Sequence, residues 1–134
     1  MTTVTNERPN DAELLTLYDA IGWTAYTRDP DRLAAPIAGS HLVLTARDDW
    51  GQLSGLVRTV SDGASICYLQ DILVHPDAHR AGVGRSPIAA VLEQSADVRR
   101  FVLLTDDDDT HRAFYAAAGL VRSDTVGLHS YLRP

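Results

Sequence analysis

The apolar positions change period along the chain. From Asp11 to Ala20 (DAELLTLYDA) they fall at Leu14, Leu15, Leu17 and Tyr18, the spacing of one helix face. Asn10 or Asp11 is placed to cap that helix, and Gly22 to end it. Asp31 to Ala38 predicts a second short helix, with Pro30 near its start and Gly39 at its end. The period then shortens. His41 to Arg47 reads as a strand, Asp48 to Gly51 as a turn, and Gln52 to Val60 as the next strand. Ser61-Asp62-Gly63 is a hairpin turn into a strand over 64–74. A helix is expected after Gly84, running to about Ala96, then a buried-type strand over Phe101 to Thr105. Asp109 to Ala117 predicts a last helix with Gly119 at its C-terminus, and the tail from Val121 to Leu132 predicts one or two strands. Together these elements predict an α/β (α+β) fold in one domain, residues 1–134: a mixed sheet with helices on both faces. No repeat, linker or low-complexity stretch interrupts it.

Composition narrows the class. The chain has 134 residues, enough to bury a real core. Its one cysteine, Cys67, rules out an intrachain disulfide and sits in an apolar run, where a buried structural thiol is expected. No stretch is long and apolar enough to span a membrane, and MTTVTNERPND lacks a signal-peptide pattern. A cytoplasmic protein without a membrane partner is expected. The net charge is −6, and all twelve basic residues are arginines. Without lysine there is no Schiff-base chemistry, and an acidic chain is a poor binder of nucleic acid.

One stretch carries most of the candidate chemistry. In ILVHPDAHRAGVGR (72–85) a β-branched run ends at His75-Pro76, and a polar loop leads to Gly82-Val83-Gly84 and a helix. A strand, a glycine-bearing turn and a helix N-terminus present unpaired amides at the positive end of a helix dipole. Such a turn suits a phosphate or pyrophosphate. It equally suits a tight connection with no ligand, and the spacing alone leaves both open. A P-loop is excluded, since it needs a lysine. A dinucleotide fingerprint is excluded too, since position 87 is proline and the motif lies mid-chain after several strands.

The wider stretch YLQDILVHPDAHRAGVGRSPIAAVLE resembles the acyl-CoA-binding motif of the GNAT superfamily of N-acyltransferases. About 30 residues on, AFYAAAGL (113–120) resembles the second signature of that superfamily, and the resemblance extends from about Ala12 to Pro134. It is similar in particular to small bacterial members and to plant and cyanobacterial serotonin N-acetyltransferases. The resemblance implies the GNAT fold, with a central, mixed, mostly antiparallel sheet. It implies acetyl-CoA as cosubstrate, no metal, and transfer of an acetyl group to a primary amine by direct attack in a ternary complex. His79, Arg80, Ala81, Gly82, Val83 and Gly84 occupy the six loop positions. With Arg85, they are the residues it implies for the cofactor. Leu73 or Val74 would offer a backbone donor to the oxyanion. Asp108, seven residues before Tyr115 where many relatives carry Asn, joins the cofactor set. The chain departs from the pattern at His79, at Ser86-Pro87 in the first helical turn, and at Leu120.

Tyr115 matches the family tyrosine that acts as general acid, and a phenol is protonated at neutral pH. Asp71 is the candidate base; its alternative is a structural aspartate that caps a turn or pairs with an arginine. Trp23 and Tyr26 are the candidate acceptor residues, with Trp23 equally readable as a helix-packing aromatic. Asp106 to Asp109 with His111 reads as a solvated helix start, because four consecutive carboxylates cannot converge on one ion. The expected acceptor is a small aryl or alkyl amine, and the resemblance leaves room for a homodimer. A protein lysine or N-terminal acetyltransferase and a non-catalytic acyl-CoA-binding module are the alternatives.

Overall fold

The four predicted helices and the run of strands in the middle of the chain form where their periodicity places them. The computed structural model describes residues 3–81 and 85–134, and it leaves the side chains of Tyr26, His79, Arg80, Ala81 and Arg85 undescribed. Two compact units make up the chain, Met1–Leu104 and Thr105–Pro134.

The first unit holds a five-stranded sheet in the order β1-β2-β3-β4-β5, formed by Thr3–Asn6, Leu42–Arg47, Leu53–Ser61, Ile66–Val74 and Arg100–Leu103. Neighbours are antiparallel from β1 to β4, and β5 joins β4 in parallel. A parallel neighbour needs a crossover. Helix α4 (Arg85–Gln94) supplies it. Pro87 sits in its first turn, fully buried, where a missing amide breaks no intrahelical bond.

One face of the sheet is closed by α1 (Asp11–Ala20) and α3 (Pro30–Ala38), with the short α2 (Thr24–Thr27) between them. Leu14, Leu17 and Tyr18 of α1 and Leu33 and Ile37 of α3 share one buried cluster with Val43, Leu56 and Leu73 from β2, β3 and β4. Each fully buried leucine contributes about 1.5–3 kcal/mol. Helix α4 packs on β1, β2 and β3, covering the face that carries Leu44 and Val57. The expected sheet with helices on both faces is therefore present.

Local chemistry sets the ends of these elements. Asn10 caps α1: its Oδ1 accepts the Glu13 amide at 2.9 Å while Glu13 reaches back to the Asn10 amide, a capping box. Gly22 follows at φ +84, a left-handed value that glycine takes without strain. β4 starts at Ile66 rather than at 64. The reason is Asp62, whose Oδ1 takes the amides of Ala64, Ser65 and Ile66 before they can join the ladder.

The ladder between β3 and β4 slips by one residue. Arg58 pairs with Asp71, but Thr59 pairs with Leu69, so Gln70 is an extra residue in β4. In an unbroken strand residues 67, 69, 71 and 73 would share a face. Here Cys67 meets Ser95 at the end of α4, Sγ to Oγ 3.6 Å, while Asp71 meets Tyr18 of α1.

In the second unit α5 spans Asp109–Ala117, with Gly119 at φ +89 just beyond it. The expectation for Val121 to Leu132 is corrected. No strand forms there among the described residues; Ser123–Val126 is a 3-10 turn and the side chains of 121–134 are exposed. Apolar residues at strand spacing become a strand only with a ladder partner, and no partner is described for this segment.

Candidate active site

The last five residues of β4 leave the pairing with β5. That pairing runs from Ile66↔Arg100 to Leu69↔Leu103, and β4 continues to Val74. The departure coincides with the extra residue at Gln70, which turns the strand. The His75 amide donates to Ser54 O at 2.8 Å, so His75 and Ser54 form a hydrogen-bonded pair. Alternation along an antiparallel ladder then makes Leu56↔Leu73 a hydrogen-bonded pair as well, and Gly55↔Val74 a non-hydrogen-bonded one. The amide of Leu73 is thus directed at β3, and that of Val74 toward the side from which β5 has diverged. A 3-10 turn, Pro76–Ala81, follows directly. The expected phosphate positions Gly82, Val83 and Gly84 lie outside the described residues.

Asp71 is buried, 3% exposed, on the face covered by α1. Its Oδ2 accepts from Arg58 Nε at 2.6 Å and from the Tyr18 hydroxyl at 3.0 Å. The arginine partner considered for it is therefore present. Arg58 extends the network: its Nη1 donates to Ser40 Oγ at 3.4 Å, and Ser40 Oγ donates to Pro36 O at 2.7 Å. Sequence reasoning did not single out Arg58 or Tyr18. The available signal was an arginine inside an otherwise apolar strand, GLVRTV, since a charge at a core position needs a buried partner.

Trp23 stands beside this network. Its ring meets the Tyr18 ring edge-on, centroids 5.9 Å apart at 63°, and its amide donates to Tyr18 O at 3.1 Å. It is half-buried and packs against the core cluster. The helix-packing and acceptor readings of Trp23 are compatible with this placement. Tyr26 lies in α2, with its side chain undescribed.

In the second unit Asp108 is the N-cap of α5. Its Oδ1 accepts the His111 amide at 2.8 Å and its Oδ2 lies 2.7 Å from His111 Nδ1. The His111 amide first, then the His111 ring, holds the Asp108 carboxyl below the usual range. Ligand atoms of Asp106, Asp108 and His111 lie within 4.8 Å of one another, a grouping the helix cap accounts for. Tyr115 is half-buried on α5, edge-on to Phe114 with centroids 5.1 Å apart. Burial pushes its phenol up, and a hydrogen bond with Thr105 acts the other way. The net rise keeps the proton on the oxygen at neutral pH, the state a general acid needs. Sequence and structure thus put Asp71, Leu73 and Val74 on one strand, link Trp23 to Asp71 through Tyr18, and put Asp108 and Tyr115 at the cap and middle of one helix.

The model of the acetyltransferase (GNAT) family matches residues 8–120. The chain belongs to that family. It is 25% identical over 122 residues to an uncharacterized N-acetyltransferase of Pyropia yezoensis, spanning 87% of this chain and 68% of the relative. A GNAT family acetyltransferase of Streptococcus pneumoniae superposes with a TM-score of 0.88 at 26% identity, over 100% of this chain and 98% of that one. The ribosomal-protein-S18-alanine N-acetyltransferase of Escherichia coli shares the fold, with a TM-score of 0.74 at 18% identity over 89% and 77% of the two chains. No helix among the described residues is long and apolar enough to cross a membrane.

Proposed function

We propose that this chain transfers an acetyl group from acetyl-CoA to the primary amine of a small aryl or alkyl substrate, and that residues 1–134 work as one catalytic domain in the cytoplasm. The observation that supports the reading is the divergence of β4 from β5 beyond Leu69↔Leu103. It leaves strand backbone facing the diverging side, where an extended amide-bearing arm adds by strand-like hydrogen bonds. Acetyl-CoA has such an arm, and it supplies the thioester that makes the acyl group transferable. The Gly82–Gly84 loop and the start of α4 would hold its phosphates.

The acceptor nitrogen attacks as a neutral amine. A C–N bond forms, the C–S bond breaks, and negative charge develops first on the carbonyl oxygen and then on the leaving sulfur. The Val74 amide is the proposed donor to the first charge. Tyr115 gives its proton to the second, its phenol being protonated at neutral pH. The ammonium proton leaves through water. Asp71, the carboxylate on this strand, has its Oδ2 engaged by Arg58 and Tyr18. Trp23 and Tyr26 contact the acceptor.

A turnover screen with acetyl-CoA against small aryl amines, alkyl amines and peptide lysines tests the reading. Acetylation of free amines in preference to peptides is expected. Acetylation of peptides alone would reject the small-amine acceptor, and no binding of any acyl-CoA would reject the transferase.

A further inference from the structure

The buried cluster of Tyr18, Asp71 and Arg58 joins three elements that the reaction itself does not require to be joined by charge. Tyr18 comes from α1, Arg58 from β3 and Asp71 from β4. Their side chains are almost wholly enclosed, Tyr18 at 0%, Arg58 at 6% and Asp71 at 3% exposure. Taking an ion pair out of water costs about as much as its attraction returns, and apolar residues of the same volume often hold a core as well. Such a pair therefore does more to fix one geometry than to add stability.

The geometry it fixes leads outward to Trp23. The Asp71 carboxylate receives the Tyr18 hydroxyl, which sets the rotation and depth of the Tyr18 ring. That ring meets the Trp23 ring edge to face, and the Trp23 amide donates to the Tyr18 carbonyl. Trp23 is thus tied twice to Tyr18, once through the backbone and once through the ring. It lies in the segment between α1 and α2 and is only half-buried. Part of the Trp23 side chain is accessible.

We infer that Tyr18, Asp71 and Arg58 are positioning residues for the acceptor amine, acting through Trp23, and that the amine they favour carries an aryl group. The aryl ring stacks on the indole, and an adjacent ammonium is attracted to its π face before it loses a proton. Asp71 in this arrangement is a fixed anchor of the site and not the proton acceptor. The inference rests on the acetyltransferase reading above for its substrate, but not for the coupling between Tyr18 and Trp23.

The test uses the Trp50→Phe protein as its parent. The chain has two tryptophans, and Trp50 is 88% exposed on the turn between β2 and β3, so Trp23 becomes the sole indole reporter. Tyr18→Phe removes one hydroxyl and keeps the ring. It is expected to shift the Trp23 emission maximum and to raise KM for an aryl amine about tenfold, with kcat and acetyl-CoA affinity within about twofold of the parent. An alkyl amine without a ring should show no such rise in KM. Asp71→Asn should reproduce that pattern. An unchanged Trp23 emission and KM in Tyr18→Phe would overturn the positioning role. A fall in kcat of about 100-fold in Asp71→Asn with KM unmoved would overturn it in favour of a base. Should Asp71→Asn fail to fold, Tyr18→Phe decides alone. If the parent acetylates no amine, the small-amine reading fails separately, and unchanged Trp23 emission in Tyr18→Phe still rejects the coupling.

Discussion

Cys67 and Asp71 lie four residues apart on β4, yet their side chains point to opposite faces of the sheet. The extra residue Gln70 between them is the cause, because it breaks the two-residue alternation once. Deleting Gln70 would make Leu69 and Asp71 neighbours in a regular ladder and leave Cys67 and Leu69 on one face and Asp71 and Leu73 on the other. The deletion variant should therefore still unfold cooperatively, with the cost confined to the lost bend of β4. Gln70→Ala, at an exposed position, should change stability by about 0.5 kcal/mol or less. A deletion variant that fails to fold would show that the faces of β4 are not set by this one extra residue.

Arg58→Met should be strongly destabilising. It leaves the Asp71 carboxylate buried with its charge uncompensated, a loss of about 3–5 kcal/mol. The double variant Arg58→Met with Asp71→Leu removes both charges and should recover most of that loss. Urea denaturation of the three proteins measures it, and a double variant as unstable as the single one would contradict the account.

Tyr115→Phe keeps the ring against Phe114 and removes the donor. A fall in kcat of about 100-fold or more is expected, with acetyl-CoA affinity unchanged. Full turnover in this variant at saturating substrates would take the acid role away from Tyr115.

Acetyl-CoA at 100 times its Kd should stabilise the protein by about 2.7 kcal/mol, read as a rise in melting temperature. Gly84→Val should cancel the rise while the protein without ligand still folds, because a side chain there blocks close approach of the backbone. A preserved shift would remove Gly84 from the phosphate site.

The pH dependence of stability should be visible at Arg47. Its guanidinium binds Glu7 and Glu13, with Nε to Glu7 Oε1 at 2.6 Å. That hydrogen bonding is the main reason both carboxyls lie below the ordinary glutamate value of 4.5. For a carboxyl lowered on folding, the stabilisation is full above the unfolded value and is lost as pH falls through the folded one. Between about pH 5 and 2 the parent should therefore lose stability more steeply than Arg47→Met. Parallel curves for the two proteins over that range would show that the pairs contribute nothing.

The sequence by itself determined the elements whose signals are local. α1, α3, α4 and α5 carry helical spacing with caps and turn glycines close by, and β2 to β4 carry short apolar runs between turns. The acetyltransferase motifs are local too, so the strand, the loop and Tyr115 were legible as candidates. Tertiary structure decided what depends on a distant partner. β1, the polar run TVTN, is a strand only because Thr3 to Asn6 pair with Arg47 to Leu44. The tail from Val121 to Leu132 has strand-like spacing but finds no ladder among the described residues, and so stays irregular. The partners of Asp71 were not legible, because Arg58 and Tyr18 stand 13 and 53 residues away and only the fold brings them to its oxygen. Periodicity reports which way a side chain points within its own element. Which residue waits on the other side is set by the register between elements, and here a single extra residue in β4 set it.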